Sequence, residues 1–336
     1  MSKRIGNQTY KLEKPIYVVG RASLVGKKEA EGPLGGYFLG KEFDDTLGES
    51  TFEKSERLFM EKCISLALSK SGFKREDIDL MVGGDLLNQI VTCNYSAEHF
   101  GWPFIGVYSA CSTMSESLSV ASLLLENGVG KNILCVTGSH FASAERQFRG
   151  PLELASQRQT YSQWTVTGMG ATIVSINKKP NAPKITHVCI GKVVDFGVKD
   201  IANMGAAMAP AACDTLCGFF ADTKTKPQDY DLIITGDLGK LGSDILKDLL
   251  LERGFRPGKN FSDCGHIMFD GSQKTFQGGS GAGCSASVLN SYLIDKLVDG
   301  TFKKIVFMPT GALMSTTSNQ QGETIPCISH LVVLEA

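Results

Sequence analysis

Short apolar runs recur along the chain and alternate with stretches of helical periodicity. The runs lack the strict polar–apolar alternation of half-exposed strands, so they predict buried strands. They are Ile78–Val82, Phe104–Tyr108, Ile133–Thr137, Ala171–Ile176, Leu232–Thr235, His266–Phe269 and Lys304–Met308. Helices are predicted over Ser55–Ser69, Ser112–Asn127 and Ser243–Arg253. The alternation indicates an α/β fold with largely parallel sheets.

An internal repeat indicates how the chain is organised. Residues 77–86 read DIDLMVGGDL and residues 229–238 read DYDLIITGDL, with six of ten positions identical at an offset of 152. Chance similarity between two strands is the alternative, and the number of identities argues against it. We therefore predict a duplicated body with an N-terminal half over 1–180 and a C-terminal half over 181–336. No Pro- or Ser-rich linker separates the halves, so we expect them to share one compact body.

Composition excludes several classes of protein. Hydrophobic residues make up 42% of the 336 residues and charged residues 21%, which rules out wholesale disorder. The net charge of −1 gives no basic excess for binding nucleic acid. The first residues lack the apolar run of a secretory signal, and we expect a soluble, intracellular chain with no membrane span. The ten cysteines form no CxxC pair, so we expect mostly buried thiols and no metal or cofactor.

One cysteine lies where a helix begins. The predicted strand Phe104–Tyr108 runs into Ser109-Ala110-Cys111-Ser112-Thr113 and then into a long helix. The free N–H groups and dipole of a helix N-terminus lower a thiol pKa there, or hold an anion without covalent chemistry. The alternative for Cys111 is a small residue packed at a tight turn.

A duplicated α/β body with a cysteine on a strand–turn–helix resembles the thiolase superfamily. The Gly-rich segment 278–287 resembles the helix entry of thiolases and ketoacyl synthases, and residues 306–312 resemble their closing hairpin. The resemblance implies a thiolase-like duplicated five-layered αβαβα fold. It also implies a homodimer, for which we expect the strand near Ile133 to be the two-fold edge.

A closer resemblance is to the stage V sporulation protein AD family of spore-forming bacteria. It rests on strings that recur in order, including EGPLG (31–35), GDLLNQ (84–89), ACST (110–113), NMGAAMAPAA (203–212), SDCG (262–265) and ETIP (323–326). The resemblance implies binding of dipicolinic acid and its uptake into the developing spore. It further implies membrane channel partners of the same uptake system and a location in the cytoplasm or forespore, at the periphery of the inner spore membrane.

The residues that complete thiolase-type chemistry are missing from their expected places. Such chemistry needs a nucleophilic Cys together with groups that move protons and stabilise an oxyanion. The Gly-rich entry has neither the thiolase His nor the synthase Asn, and Asp237 follows the second repeat strand where synthases place a His. Pro309-Thr310-Gly311 stands where thiolases place a second Cys. We therefore predict a binding protein rather than an enzyme.

The alternative is an acyl-transferring or condensing enzyme that forms a thioester on Cys111. Its base would be His140 or His266. We expect His266 to be a core histidine, because it lies in an apolar run that is predicted to be a strand.

Dipicolinate has a flat pyridine ring and two carboxylates, so it needs an apolar slot, hydrogen-bond donors and positive charge or bound calcium. Donors are expected at the helix start, at Ser139-His140, and at Arg146 and Arg149 on one helix face. A solvated surface cluster is the alternative for the arginines, and a turn or cap role is the alternative for Asp85. The predicted ligand-binding residues are Cys111, Ser112, Asp85, Asn88, Ser139, His140, Arg146, Arg149 and Gly281.

Overall fold

The structure, a computed structural model, describes residues 3–148 and 158–336. Five strands build the first half: β1 (Thr9–Val25), β2 (Leu80–Asp85), β3 (Phe104–Gly106), β4 (Asn132–Ser139) and β5 (Gly168–Ser175). Their order across the sheet is β1-β5-β4-β2-β3. β2 is parallel to β3 and β4, whereas β5 is antiparallel to β4 and β1.

Five strands of the second half repeat this arrangement. They are β6 (Lys184–Cys189), β7 (Leu232–Thr235), β8 (Phe261–Asp263), β9 (Lys304–Met308) and β10 (Leu331–Glu335). Their order is β6-β10-β9-β7-β8, with β7 parallel to β8 and β9 and with β10 antiparallel to β9 and β6. The long strand β1 pairs with β5 through its C-terminal part and with β6 through its N-terminal part, and so joins the two sets.

The acidic residues of the sequence repeat have the same structural role in both halves. The carboxylate of Asp79 accepts hydrogen bonds from the amides of Lys131, at 2.6 Å, and Asn132, at 2.9 Å, where β4 begins. The carboxylate of Asp231 accepts from the amides of Lys303, at 2.7 Å, and Lys304, at 2.9 Å, where β9 begins. The sequence repeat is therefore a structural repeat.

Helices form three layers around the two strand sets. The main helices are α1 (Phe52–Ser71), α2 (Val91–Phe100), α3 (Thr113–Glu126), α4 (Phe141–Phe148), α5 (Met204–Thr223), α6 (Gly239–Glu252), α7 (Ala282–Val288) and α8 (Ile294–Val298). A π-helical turn, Leu289–Leu293, joins α7 to α8. α1 and α2 cover the first set from outside, α3 and α7 lie between the sets, and α5 and α6 cover the second set. The predicted αβαβα layering is confirmed.

Successive side chains of one strand pack into different hydrophobic cores on the two faces of the sheet. Ile133 and Cys135 of β4 face the central helical layer, whereas Leu134 and Val136 face the outer core under α1. Successive side chains of a strand point to opposite faces, so a strand covered on both faces is apolar throughout.

The structure corrects three expectations. The run His266–Phe269 is not a strand, because Asp263 caps a short helix, Cys264–Met268, and accepts a hydrogen bond from the amide of His266 at 3.0 Å. The sheets are mixed rather than largely parallel, since β5 and β10 run antiparallel to their neighbours. The strand near Ile133 is interior, and the free edge of the first set among the described strands is β3.

Helix α5 is long and apolar enough to cross a membrane by length and composition alone. Within its most apolar 18-residue window, 72% is buried inside the protein. Its apolar residues, including Met208, Phe219 and Phe220, pack in the outer core of the second half. This burial is typical of a core helix.

Shorter elements complete the fold. The short strands are Lys3–Arg4, Gly40–Lys41, Trp164–Thr165, Gly279–Ser280, Thr310–Ala312 and Cys327–Ser329. The short helices are Lys27–Ala30, Cys264–Met268 and Thr316–Gln320. Single 3₁₀ turns are Arg75–Asp77, Asn88–Ile90, Ala110–Ser112, Pro227–Asp229 and Gly271–Gln273.

Candidate functional site

The turn that carries Cys111 is held in a strained conformation at the start of α3. Ala110 has a φ of 50°, a left-handed value that costs energy for a residue with a Cβ. Thr113 stabilises the turn, because its hydroxyl donates to the Ala110 carbonyl at 2.7 Å and accepts from the Ser109 amide at 3.3 Å. Cys111 lies one residue before Ser112, the N-cap residue of α3, and is 7% exposed.

The C-terminal part of the chain packs directly on this turn. Thr310–Ala312 and Cys327–Ser329 form an antiparallel hairpin, which we call the closing hairpin. The Ser112 hydroxyl donates to the Pro309 carbonyl at 2.8 Å and accepts from the His330 amide at 3.0 Å. A Cβ added at Gly311 would lie 1.9 Å from the Ser109 carbonyl oxygen. Glycine at this position therefore allows the backbones of the two halves to meet beside Cys111.

A buried carboxyl group, Asp237, lies next to the Cys111 thiol. Asp237 follows β7 and accepts hydrogen bonds from the Thr310 hydroxyl at 2.9 Å, and from the Ser280 hydroxyl and the Gly281 amide at 3.3 Å each. Burial raises the pKa of Asp237 to about 7, although a hydrogen bond from the Cys111 thiol opposes the rise. Asp237 occupies the same position in the second repeat as Asp85 in the first. Of these two residues, Asp237 is the one that is hydrogen-bonded to the Cys111 thiol.

A carboxyl group and an imidazole differ in the charge that they place beside a thiol. An imidazole that takes the thiol proton becomes a cation, which stabilises the thiolate. An ionised Asp237 would instead place a like charge beside the forming thiolate. The group that meets the Cys111 thiol is therefore a carboxyl and not an imidazole.

A small, mostly apolar pocket opens beside Cys111. Its polar lining residues are Cys111, Thr165 and Ser280, which lie near Asp237. Tyr108 lines it too, and burial raises the pKa of Tyr108 to about 12, so its hydroxyl stays a hydrogen-bond donor at neutral pH. The other lining residues are apolar or glycine: Leu86, Ala110, Ala144, Phe148, Met204, Gly281, Ala312 and Met314.

Four of the predicted residues lie in or directly behind this pocket. Cys111 and Gly281 line it. Ser112 is buried and bound to the closing hairpin. The hydroxyl of Ser139 is buried, donating to the Val166 carbonyl at 2.8 Å and accepting from the Gly283 amide at 3.1 Å.

Asp85 and Asn88 lie further out. Asp85 is fully buried and accepts hydrogen bonds from the amides of Leu87, at 3.0 Å, and Cys93, at 2.8 Å, which is a turn and cap role. Burial raises the pKa of Asp85 to about 6. Asn88 lines a neighbouring open groove that shares Leu86, Tyr108, Phe148 and Met314 with the pocket.

Two of the predicted cationic residues, His140 and Arg146, are not part of the pocket lining. The ring Nε2 of His140 lies 2.8 Å from the Asp45 carbonyl, Nδ1 accepts from the Ala142 amide, and the ring packs against Phe52. Burial lowers the pKa of His140. Arg146 pairs with Glu53 at 3.4 Å and is 42% exposed, as in the surface-cluster alternative. Arg149 lies outside the described residues.

Within residues 3–148 and 158–336, the pocket lining includes no histidine. His330 is nearest in the hydrogen-bond network, but its ring Nδ1 accepts from the Gly191 amide at 3.2 Å. Burial lowers the pKa of His330 to about 4. His266 lines a different pocket with Ser243 and Lys247. The two bases of the enzyme alternative, His140 and His266, thus lie outside the pocket that Cys111 lines.

Sequence reasoning missed Asp237 as a binding-site residue. The signal was present, since Asp237 occupies the same column of the repeat as Asp85. Met314 and Tyr108 carry no such signal, because residues far apart in sequence form this wall.

Comparisons with solved structures show the fold. AbyA1, a tetronic acid condensing enzyme, superposes with a TM-score of 0.61 at 16% identity, covering 95% of this chain and 100% of that chain. OleA of Xanthomonas campestris with bound cerulenin gives 0.63 at 14% identity, with 96% and 97% covered. The 3-oxoacyl-[acyl-carrier-protein] synthase III of Aquifex aeolicus VF5 gives 0.57 at 13% identity, with 96% and 100% covered. The predicted thiolase-like fold is confirmed.

Comparisons by sequence show the family. The family described as Stage V sporulation protein AD (SpoVAD) matches residues 6–335. Stage V sporulation protein AD of Bacillus subtilis (strain 168) is 44% identical over 334 residues, which span 99% of this chain and 98% of that protein. This chain therefore belongs to the stage V sporulation protein AD family of sporulation proteins and has a thiolase-like fold.

Proposed function

We propose that the protein binds dipicolinic acid in the Cys111 pocket and takes part in its uptake into the developing spore without transforming it. The observation that carries the proposal is that a carboxyl group, Asp237, meets the Cys111 thiol in a pocket with apolar walls and no histidine among its described lining residues. Among the described residues, this pocket keeps apolar walls beside the cysteine and has no histidine in its lining.

The pocket has the polarity that a flat aromatic dicarboxylate needs. Phe148, Met204 and Met314 supply apolar walls for a ring. The Ser280 and Thr165 hydroxyls lie at one end, beside the helix start at Cys111. They donate to Asp237 and Glu145 in the free protein, and ligand binding would require them to turn to a ligand carboxylate. Arg158 brings a cation close to this end. It lies 3.6 Å from Glu145, which in turn accepts a hydrogen bond from Thr165.

The direct test is calorimetric titration of the purified chain with dipicolinate, with and without calcium. We expect saturable one-to-one binding, and weaker binding in Cys111→Ala without loss of folding. Isophthalate, which keeps both carboxylates and lacks the ring nitrogen, is the matched ligand control for a calcium chelate. Absence of saturable dipicolinate binding in either condition removes the proposal.

Binding is expected to weaken as the pH rises through the pKa of Asp237. The pKa is raised to about 7, so the carboxyl is neutral below that pH and carries a charge that repels an anionic ligand above it. Between pH 6 and pH 8 the neutral fraction falls roughly tenfold, and we expect the affinity to fall by the same factor. Calorimetric titrations with dipicolinate at pH 6 and at pH 8 measure this change in affinity.

Asp237→Asn is the matched variant for this pH dependence. It keeps the shape of the side chain and removes its titration, so its affinity should stay flat between pH 6 and pH 8. The affinity of the wild type could prove independent of pH, or Asp237→Asn could keep the pH dependence of the wild type. Either result would show that the charge of Asp237 does not affect ligand binding.

We also propose a homodimer that forms through the free edge of β3. Ile105 of β3 is 38% exposed, and Tyr108 just after it is 41% exposed. An exposed apolar edge strand pairs readily with a second copy, and a charge on it prevents the pairing. Light scattering should therefore show a dimer for the wild type and a monomer for Ile105→Lys.

Val129→Lys is the control for the dimer, because Val129 is 45% exposed and lies in the turn after α3 rather than on the sheet edge. It should remain dimeric. A wild-type chain that is monomeric at high concentration contradicts this proposal.

The remaining parts of the proposal concern where the protein acts. Uptake of an anion into a spore needs a conduit, and we propose that membrane channel proteins of the same system supply it. The chain would then lie in the cytoplasm or forespore at the periphery of the inner spore membrane. Dipicolinate would arrive free or as its calcium chelate, and the titration above separates the two forms.

A further inference from the structure

The side of β1 that faces away from β5 has a gap in its strand pairing. On that side, β1 pairs with β6 as far as Tyr17 and with the short strand Gly40–Lys41 from Leu24 onward. Within the described chain, residues 19–23 have β5 on one side and no paired strand on the other. Five residues of a strand span about 16 Å. The gap is therefore long enough for a short additional strand.

A proline ends the pairing with β6. Pro183 immediately precedes β6 and has no N–H group, so it cannot donate a hydrogen bond to β1. Its carbonyl accepts a hydrogen bond from the Val18 amide at 2.8 Å, one residue before the gap. The register between β1 and β5 also shifts between Val18 and Gly20, and such a shift marks a local bend of the strand. Both features interrupt the regular pairing where the gap begins.

The backbone of Arg21 points into this gap. On the same side of β1, the Val25 carbonyl accepts a hydrogen bond from the Glu42 amide at 2.9 Å. Residues at even spacing along a regular strand direct their N–H and C=O groups to the same side, so those of Arg21 point the same way. Among the described residues, no backbone group is hydrogen-bonded to them on this side. The middle of the gap therefore offers one free donor and one free acceptor.

An open groove of about 420 Å³ lies along the gap, and its lining includes residues 18–21 of β1. The end of α1 forms one wall, with Lys70, on the side of the outer core. Helix α8 forms the other wall, with Ile294 and Val298, on the side of the central helical layer. Among the described residues, none lines both this groove and the Cys111 pocket.

The wall at the end of α1 is cationic. The charged residues in the described lining are Arg21, Lys70 and Lys179. Arg21 is neutralised by its ion pair with Asp295. The Nζ of Lys179 donates to the Ser71 carbonyl at 2.8 Å, which places it beside Lys70. Over residues 3–148 and 158–336, neither lysine forms an ion pair, so this wall carries two ammonium groups without a carboxylate partner.

An extended acidic peptide matches both the backbone and the charge of this groove. A peptide backbone supplies a donor and an acceptor for Arg21, whereas a sulfate ion only accepts. Successive side chains of an added strand point to opposite walls, so acidic side chains can meet Lys70 and Lys179 while apolar ones between them pack against α8. We propose that the gap binds an extended segment of a partner protein, alternately acidic and apolar, as an added strand beside β1.

The probe is the fluorescein-labelled peptide Val-Glu-Val-Glu-Val-Glu, capped at both ends. Fluorescence anisotropy with the full-length chain should show saturable binding, and hydrogen exchange over residues 19–23 should slow at least tenfold in the complex. The same peptide with Lys in place of Glu should not bind, because the cationic wall repels it. A Val-Glu peptide with methylated backbone nitrogens keeps its charge but cannot donate hydrogen bonds to β1, and it should not bind either.

Lys179→Glu should weaken peptide binding at least tenfold. Lys70→Glu is the second variant, in case the loss of the bond to Ser71 prevents folding, and circular dichroism checks both. Lys178→Glu is the matched control, because Lys178 is exposed and lies outside the groove lining. Its affinity should stay within about twofold of the wild type.

Three results would overturn the strand proposal: a wild-type chain that does not bind the Val-Glu peptide, equal binding of the methylated peptide, or slowed exchange confined to residues outside 19–23. Equal binding by Lys179→Glu and the wild type would do the same for the cationic wall. The dipicolinate titration concerns a different pocket, so failure of one proposal leaves the other unaffected.

Discussion

Replacement of Ala144 by phenylalanine is expected to abolish dipicolinate binding. Ala144 lies on α4, is 3% exposed and lines the pocket together with Cys111 and Phe148. An added phenyl ring would fill this small pocket, which the ligand needs. We expect at least a 100-fold loss of affinity, about 2.7 kcal/mol, in a calorimetric titration.

Arg146→Ala is the control on the same helix. Arg146 is two residues away, but it pairs with Glu53 and stacks over Phe52 outside the pocket lining. Its affinity should stay within about twofold of the wild type, since exposed ion pairs contribute little. If Ala144→Phe binds normally, or if Arg146→Ala loses binding, the ligand lies elsewhere.

Gly311→Ala is expected to be strongly destabilising. The added Cβ would lie 1.9 Å from the Ser109 carbonyl oxygen and 3.3 Å from the Ser112 amide nitrogen. Both atoms belong to the backbone of the Cys111 turn, so neither can move without shifting that turn or the closing hairpin. We expect a loss of about 3 kcal/mol or more in the free energy of unfolding, measured with urea.

Gly36→Ala is the matched control, because a Cβ at Gly36 meets no atom within 4 Å. Its stability should change by no more than about 0.5 kcal/mol. A Gly311→Ala variant as stable as Gly36→Ala would mean that the closing hairpin does not press on the Cys111 turn as described.

The pattern of apolar and polar residues predicted the architecture because strands and helices are specified by residues that are close in sequence. The repeat revealed the duplication, since Asp79 and Asp231 each fix the start of a neighbouring strand. The run at His266 was misread because four apolar residues fit a helix as well as a strand, and the cap from Asp263 decides between them. The long strand β1 was missed because charged residues and Pro15 interrupt its pattern.

The site was less predictable because long-range packing selects its residues. Asp85 and Asp237 are equivalent in the repeat, yet only Asp237 is bound to Thr310 of the closing hairpin and to the Cys111 thiol. His140 is next to Ser139 in sequence, but its ring turns toward Asp45 and Phe52. A residue next to a site residue in sequence therefore need not line the pocket. Part of the wall comes instead from Met204 and Met314 of the second half.

Intact-protein mass spectrometry after incubation with acyl-CoA thioesters decides whether Cys111 becomes acylated. We expect an unmodified mass in a sample that binds dipicolinate, because an ionised Asp237 beside Cys111 disfavours a second negative charge on the thiol. An acyl adduct on Cys111 that forms in the wild type, is absent from Cys111→Ala and is released with turnover would contradict it.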